Sequence, residues 1–157
     1  ETRLLKTFHR SEIVSHHVDP KGDPYVHVYL EGSSGAQGFD TLLDEYNAYT
    51  HTLAARYCTR DLLQPNIRMS TRDGILTMMY YVETYLAIAR QSHTTDYAAI
   101  MADPQHRKLI LTVWDRAEFW LRKSAPIRSL GIHDDRITQW VYDADRLAEI
   151  ARIRDAH

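Results

Sequence analysis

From Phe39 onward, apolar residues recur every three or four positions in four successive stretches, a period that commits most of the chain to packed helices. In the first stretch, Phe39, Leu42, Leu43, Tyr46, Tyr49, Leu53 and Tyr57 form one face through about residue 63, and Pro65 stops the helix. A second helix starts near Ser70 or Thr71 and runs to about Gln91. Its Ile75, Met78, Met79, Val82, Tyr85, Leu86 and Ala89 cover half the circumference, which places it centrally in the core. Asp103-Pro104 joins an N-cap to proline at the first helical position. The third helix begins there, turns Leu109, Ile110, Val113, Trp114, Ala117, Trp120 and Leu121 inward, and ends before Pro126. Asp134 or Asp135 caps a fourth, with Ile137, Trp140, Val141, Ala144, Leu147, Ala148 and Ala151 facing the core.

Charge order supports the same division. Each stretch opens with acid and closes with base: Asp40 and Asp44 then Arg56 and Arg60, Asp73 then Arg90, Asp103 then Arg122 and Lys123, Asp134 and Asp135 then Arg152 and Arg154. That order complements the helix macrodipole.

The first thirty residues follow another rhythm. Ser11 to Val18 and Tyr25 to Leu30 are β-rich runs around the turn-forming Asp19-Pro20-Lys21-Gly22-Asp23-Pro24, and Val26, Val28 and Leu30 alternate with Tyr25, His27 and Tyr29. This predicts a β-hairpin, preceded by a short helix over Arg3 to His9. Gly32-Ser33-Ser34-Gly35-Ala36-Gln37-Gly38 holds three of the six glycines and reads as a linker. The expected fold is therefore mainly α, a bundle of about four principal helices with a small N-terminal β-hairpin. It forms one domain over 1–157, divided into a hairpin-containing segment 1–31, a Gly/Ser linker 32–38 and a helical bundle 39–157.

A net charge of −2 gives no global grip on nucleic acid or anionic lipid, and no nucleic-acid partner is expected. No apolar run approaches the ~20 residues of a membrane span. Cys58 is the single cysteine, which excludes an intrachain disulfide and a cysteine cage for zinc.

Nine histidines make metal binding the first chemistry to weigh. The densest group is His9, His16, His17 and His27 beside Asp19; across a hairpin, His17 and His27 share a face while His16 points to the other. On the first long helix Asp40, Asp44, Asn47 and His51 are spaced four, three and four apart, one polar stripe able to present Asp44 and His51 to a metal or a proton. Imidazole and carboxylate donors of this kind suit zinc, although no cofactor is required by the sequence. Glu83 falls at the margin of the second apolar face between Arg72 and Arg90. It reads as a partly exposed ion pair, with a general acid raised by burial as the sharper alternative. Gly-x-x-Gly-x-x-Gly lacks the Lys-Ser/Thr of a phosphate loop, and no Gly-x-Ser-x-Gly elbow supports serine catalysis.

Two short stretches resemble known families. Glu45-Tyr46-Asn47-Ala48-Tyr49 resembles the helix that supplies the downstream glutamate ligand of gluzincin-type metallopeptidases. The resemblance implies Glu45 as a ligand in a fragment of such an enzyme, because the His-Glu-x-x-His helix is absent from this chain. Arg128-x4-His133 resembles the arginine–histidine element of helical HEPN ribonucleases and implies these two residues as its catalytic pair.

Some apolar residues lie off the inward stripes. Leu111 and Phe119 sit among Lys108, Asp115 and Arg122, and Tyr142, Ile150 and Ile153 sit among Arg146 and Glu149. Joined, they would form a surface for a protein partner or a second copy. The function expected is therefore a non-catalytic helical binding or interaction module. Opening at Glu1 rather than Met, the chain is expected to be part of a larger or processed protein. The alternatives are a metal-dependent hydrolase, or a fragment of one, using His16, His17, His27, Asp44, Glu45 and His51, and a HEPN-like ribonuclease using Arg128 and His133.

Overall fold

The computed structural model describes residues 6–62 and 67–156, so Pro65 and the start of Arg3–His9 lie outside the described residues. Among these, helices account for all regular structure: α1 (Ile13–His16), α2 (Tyr25–Tyr29), α3 (Gly32–Gly35), α4 (Phe39–Cys58), α5 (Thr71–Ser92), α6 (Thr94–Ala102), α7 (Pro104–Ser124), α8 (Asp134–Val141) and α9 (Ala144–Asp155). Single 3-10 turns lie at Arg10–Glu12, Arg60–Leu62 and Arg128–Leu130.

The mainly α architecture holds, and the N-terminal β-hairpin does not form. No strand occurs among the described residues; the two β-rich runs become α1 and α2. Burial along α2 shows why. Val26 and Leu30 are buried and Tyr29 half-buried, whereas Val28 is 56% exposed, a spacing of four that only a helix presents to a core. Pro24 stands at its N-cap, where a missing N–H costs nothing. Strand propensity is thus overruled by tertiary packing.

The Gly/Ser stretch forms α3. Gly32 makes the turn into it at φ +56°, a left-handed conformation that strains residues with a β-carbon. Buried Arg10 bolts it down, with Nε donating to the carbonyl of Ser34 (2.8 Å) and Nη2 to Oε1 of Gln37 (2.9 Å). Lys6–His9 is without regular secondary structure.

At the centre stands α5, buried at every residue from Thr71 to Leu86. Helices α4, α6, α8, α9 and α1 pack around it, and α7 closes the bundle against α4. Residues 6–38 run over it as a strap. Tyr85 Oη donates to the carbonyl of Phe8 (2.6 Å), the amide of Val18 donates to Tyr80 Oη (3.0 Å), and the Phe8 ring stacks on Tyr85 and His93.

Two further differences concern the C-terminal half. Helix α6 precedes Asp103, which caps α7 by accepting from the amide of Gln105. The expected fourth helix is broken at Tyr142-Asp143: Asp143 adopts an extended conformation and caps a new helix by accepting from the amide of Asp145. The break turns Ile150 and Ile153 into the core and leaves Ala144 and Ala151 exposed. On α7 the buried stripe is Ile110, Val113, Trp114 and Ala117, while Leu109 is 44% exposed.

Candidate functional site

Between α2, α4 and the entry into α5 lies an open cleft of about 690 Å³. Its walls are aromatic. Tyr25 and Tyr29, one helical turn apart on α2, stack with centroids 6.3 Å apart, and Tyr49 from α4 meets both edge-on at 5.9 and 6.0 Å. Polar ends hold the rings in place: the hydroxyls of Tyr29 and Tyr49 are 2.9 Å apart, and Tyr25 Oη donates to the carbonyl of Ser70 at 3.1 Å. Burial raises the phenol pKa of Tyr25 and Tyr49, so both rings stay neutral.

Gly74 makes this wall possible. A β-carbon there would lie 2.2 Å from the Tyr49 ring, so the ring rests directly on the backbone of α5. Around the mouth stand Thr52 and Arg56 from α4, Arg68, Ser70 and Thr71 at the entry to α5, and His133. Arg68 donates through Nε and Nη2 to the carbonyl of Gly131 (3.2 and 2.7 Å), which fixes its guanidinium. Asp73 turns both carboxylate oxygens to the amides of Ile132 and His133, each at 2.9 Å.

The chain matches no family model, no curated protein and no solved structure. The cleft is therefore judged on its own chemistry.

None of the tyrosines and neither arginine was singled out from the sequence. Tyr25 and Tyr29 were on the polar side of an expected strand, and Tyr49 was one more member of an apolar stripe. A signal did exist in Gly74, a helix-breaking residue inside the central, buried helix, which marks a close approach.

The metal candidates are dispersed. His16 is exposed at the end of α1, and His27 on α2 pairs with Glu31 at the start of α3 (2.7 Å). On α4, Asp44 and His51 are exposed and Glu45 is half-buried. His17 is buried in a network of its own. The amide of Asp19 donates to its Nδ1 (3.0 Å), so Nε2 carries the proton and donates to Asp23 Oδ2 (3.0 Å), which also accepts from Tyr81 Oη (2.8 Å). No group of three or more His, Cys, Asp or Glu able to hold a metal ion occurs among the described residues.

Arg128 and His133 open onto different recesses: His133 lines the tyrosine cleft, and Arg128 a smaller one with Arg68, Arg72 and Asp135. Of the apolar surface candidates, Phe119 and Tyr142 are exposed and Leu111 is half-buried, whereas Ile150 and Ile153 lie in the core.

Two ionisable constellations are built into the frame. His106 sits between Asp40 (Nε2, 2.9 Å) and Asp103 (Nδ1, 2.7 Å), joining the starts of α4 and α7. Burial there disfavours the imidazolium, but the two carboxylates outweigh it and raise the pKa. Glu83 is the opposite case. It is 0% exposed, neither carboxyl oxygen has a partner among the described residues, and burial pushes its pKa up to about 9. The ion pair expected from Arg72 and Arg90 does not form. Arg72 is taken by Asp134 and the carbonyls of Ser124 and Ile127, and Arg90 by Glu149. The hydroxyls of Tyr46 and Thr77 are likewise buried without a partner among the described residues.

Proposed function

We propose that this chain is a non-catalytic helical binding domain whose small-molecule ligand occupies the tyrosine cleft. The observation that carries this is a wall of three rings held by their own hydroxyl contacts and seated where Gly74 removes the side chain that would fill the space. Pockets of ~300–1,000 Å³ with mainly apolar walls and a few placed polar groups are the usual form of ligand sites. The chemistry at the mouth favours binding over catalysis. Asp73, the single carboxylate among the described lining residues, is committed to two backbone amides, so no free acid–base pair faces the space.

The test is ligand-observed NMR with phenol, indole and benzoate at millimolar concentration, on the wild type and on Thr52→Trp. Thr52 is exposed at the mouth, so tryptophan there fills the cleft without entering the core. Saturation transfer to at least one probe is expected in the wild type, with loss in the variant. Transfer to none of the probes, or transfer undiminished by Thr52→Trp, overturns the reading.

A further inference from the structure

The mouth of the cleft has a chemistry that its walls lack. Among the described lining residues the fixed cations, Arg56 and Arg68, stand at the rim, while the interior is neutral phenol. Arg56 makes no hydrogen bond, ion pair or ring contact among the described residues, so its guanidinium is uncommitted. Arg68 is held at Gly131 through Nε and Nη2, which leaves Nη1 as a donor.

The entry of α5, also at the mouth, adds donors from the backbone. This helix runs from Thr71 to Ser92, and Ser70 gives it no side-chain cap. Its first-turn amides keep donor capacity and the positive end of the macrodipole. Thr71 lines the cleft beside these amides, and its hydroxyl can donate there as well.

Aromatic walls and two arginines beside an uncapped helix entry are jointly complementary to one class of molecule. We infer that the ligand of this cleft is a planar ring carrying an acid group, a carboxylate or a phosphate, with the ring against Tyr25, Tyr29 and Tyr49 and the anion between Arg56, Arg68 and Thr71. This rests on the binding reading above and adds the sign of the charge. Bidentate guanidinium contacts fit either oxyanion, and stacking on phenol faces accepts a flat ring. Asp73 opposes an anion, but its charge is drawn toward the amides of Ile132 and His133.

The experiment is titration of the intact chain with ring probes that differ in charge: benzyl alcohol, benzylamine, phenylacetate and phenyl phosphate. Each is followed by chemical-shift perturbation in the wild type, Arg56→Gln and Arg56→Lys. Arg56 is exposed and unpaired, so its replacement leaves the fold intact. At least one acid is expected to bind tenfold more tightly than benzyl alcohol, with a preference that Arg56→Gln reduces severalfold and Arg56→Lys partly restores. The preference should also weaken as salt is raised, as screening requires. The two acids separate carboxylate from phosphate. If benzyl alcohol or benzylamine binds as tightly as both acids, the charge inference falls while the cleft remains a binding site. If no probe binds, the binding reading falls and takes this inference with it.

Discussion

Glu83 is the residue whose surroundings fit its chemistry least. Its carboxyl lies on the central helix with no exposure and no partner among the described residues, and burial lifts its pKa to about 9. The folded chain therefore holds a proton there at neutral pH that the unfolded chain releases above about 4.5, the unperturbed value. Between those two values the folded state binds more protons, so stability falls as pH rises, by roughly 1.4 kcal/mol per pH unit from this group. Glu83→Gln removes the titration and keeps the shape. Urea denaturation of both proteins at several pH values should show the variant gaining on the wild type steadily from about pH 5 to 9. A difference independent of pH means that Glu83 is not protonated in the fold. The sequence placed this residue at the edge of an apolar face, and its helical phase alone could not tell burial from exposure. That depended on Arg72 and Arg90 finding other acids, Asp134 and Glu149, from helices distant in the chain.

At the scale of elements, the long helices were legible from their hydrophobic period, and in α7 a cap agreed with it: Asp103-Pro104 starts that helix, whereas Thr71 starts α5 without a side-chain cap. The short elements were not. In α2 the alternation of Val26, Val28 and Leu30 satisfies period two, while the pair Val26 and Leu30 equally satisfies a spacing of four; packing against the bundle chose the second. The C-terminal break is subtler, because Tyr142-Asp143 contains neither glycine nor proline. It is held by Asp143, whose side chain accepts from the amide of Asp145 and whose extended backbone lets α9 start afresh. Asp143→Ala should then cost about 1 kcal/mol in chemical denaturation. It should also expose Ile150 and Ile153 if α8 and α9 fuse, since a continuous helix carries them away from the core. Unchanged stability would mean that packing of those two isoleucines, rather than the cap, fixes the break.

At the scale of the whole molecule, one polar knot holds the strap to the central helix. Asp23 is buried and accepts from three groups at once: His17 Nε2, Tyr81 Oη and the amide of Tyr25. Each belongs to a different job. His17 is packed edge-on among Tyr80, Tyr81 and Trp140, Tyr81 belongs to α5, and the amide of Tyr25 opens the helix that forms one wall of the cleft. The core and the candidate site therefore share a single carboxylate. The sequence showed Asp23 only as a turn residue, because Tyr81, the partner that ties it to the central helix, lies 58 residues away in the chain. Asp23→Ala strands two buried donors and an amide, at a cost of roughly 3 kcal/mol. Paired with Tyr81→Phe in a double-mutant cycle, it should show a coupling above ~0.5 kcal/mol, as neighbours in one network do. Asp23→Ala should also weaken any ring probe in the cleft more than Tyr81→Phe does, because only Asp23 touches the backbone that carries Tyr25 and Tyr29. If stability falls and probe binding does not, α2 is placed by its apolar contacts through Val26 and Leu30, and the strap closes the core without shaping the cleft.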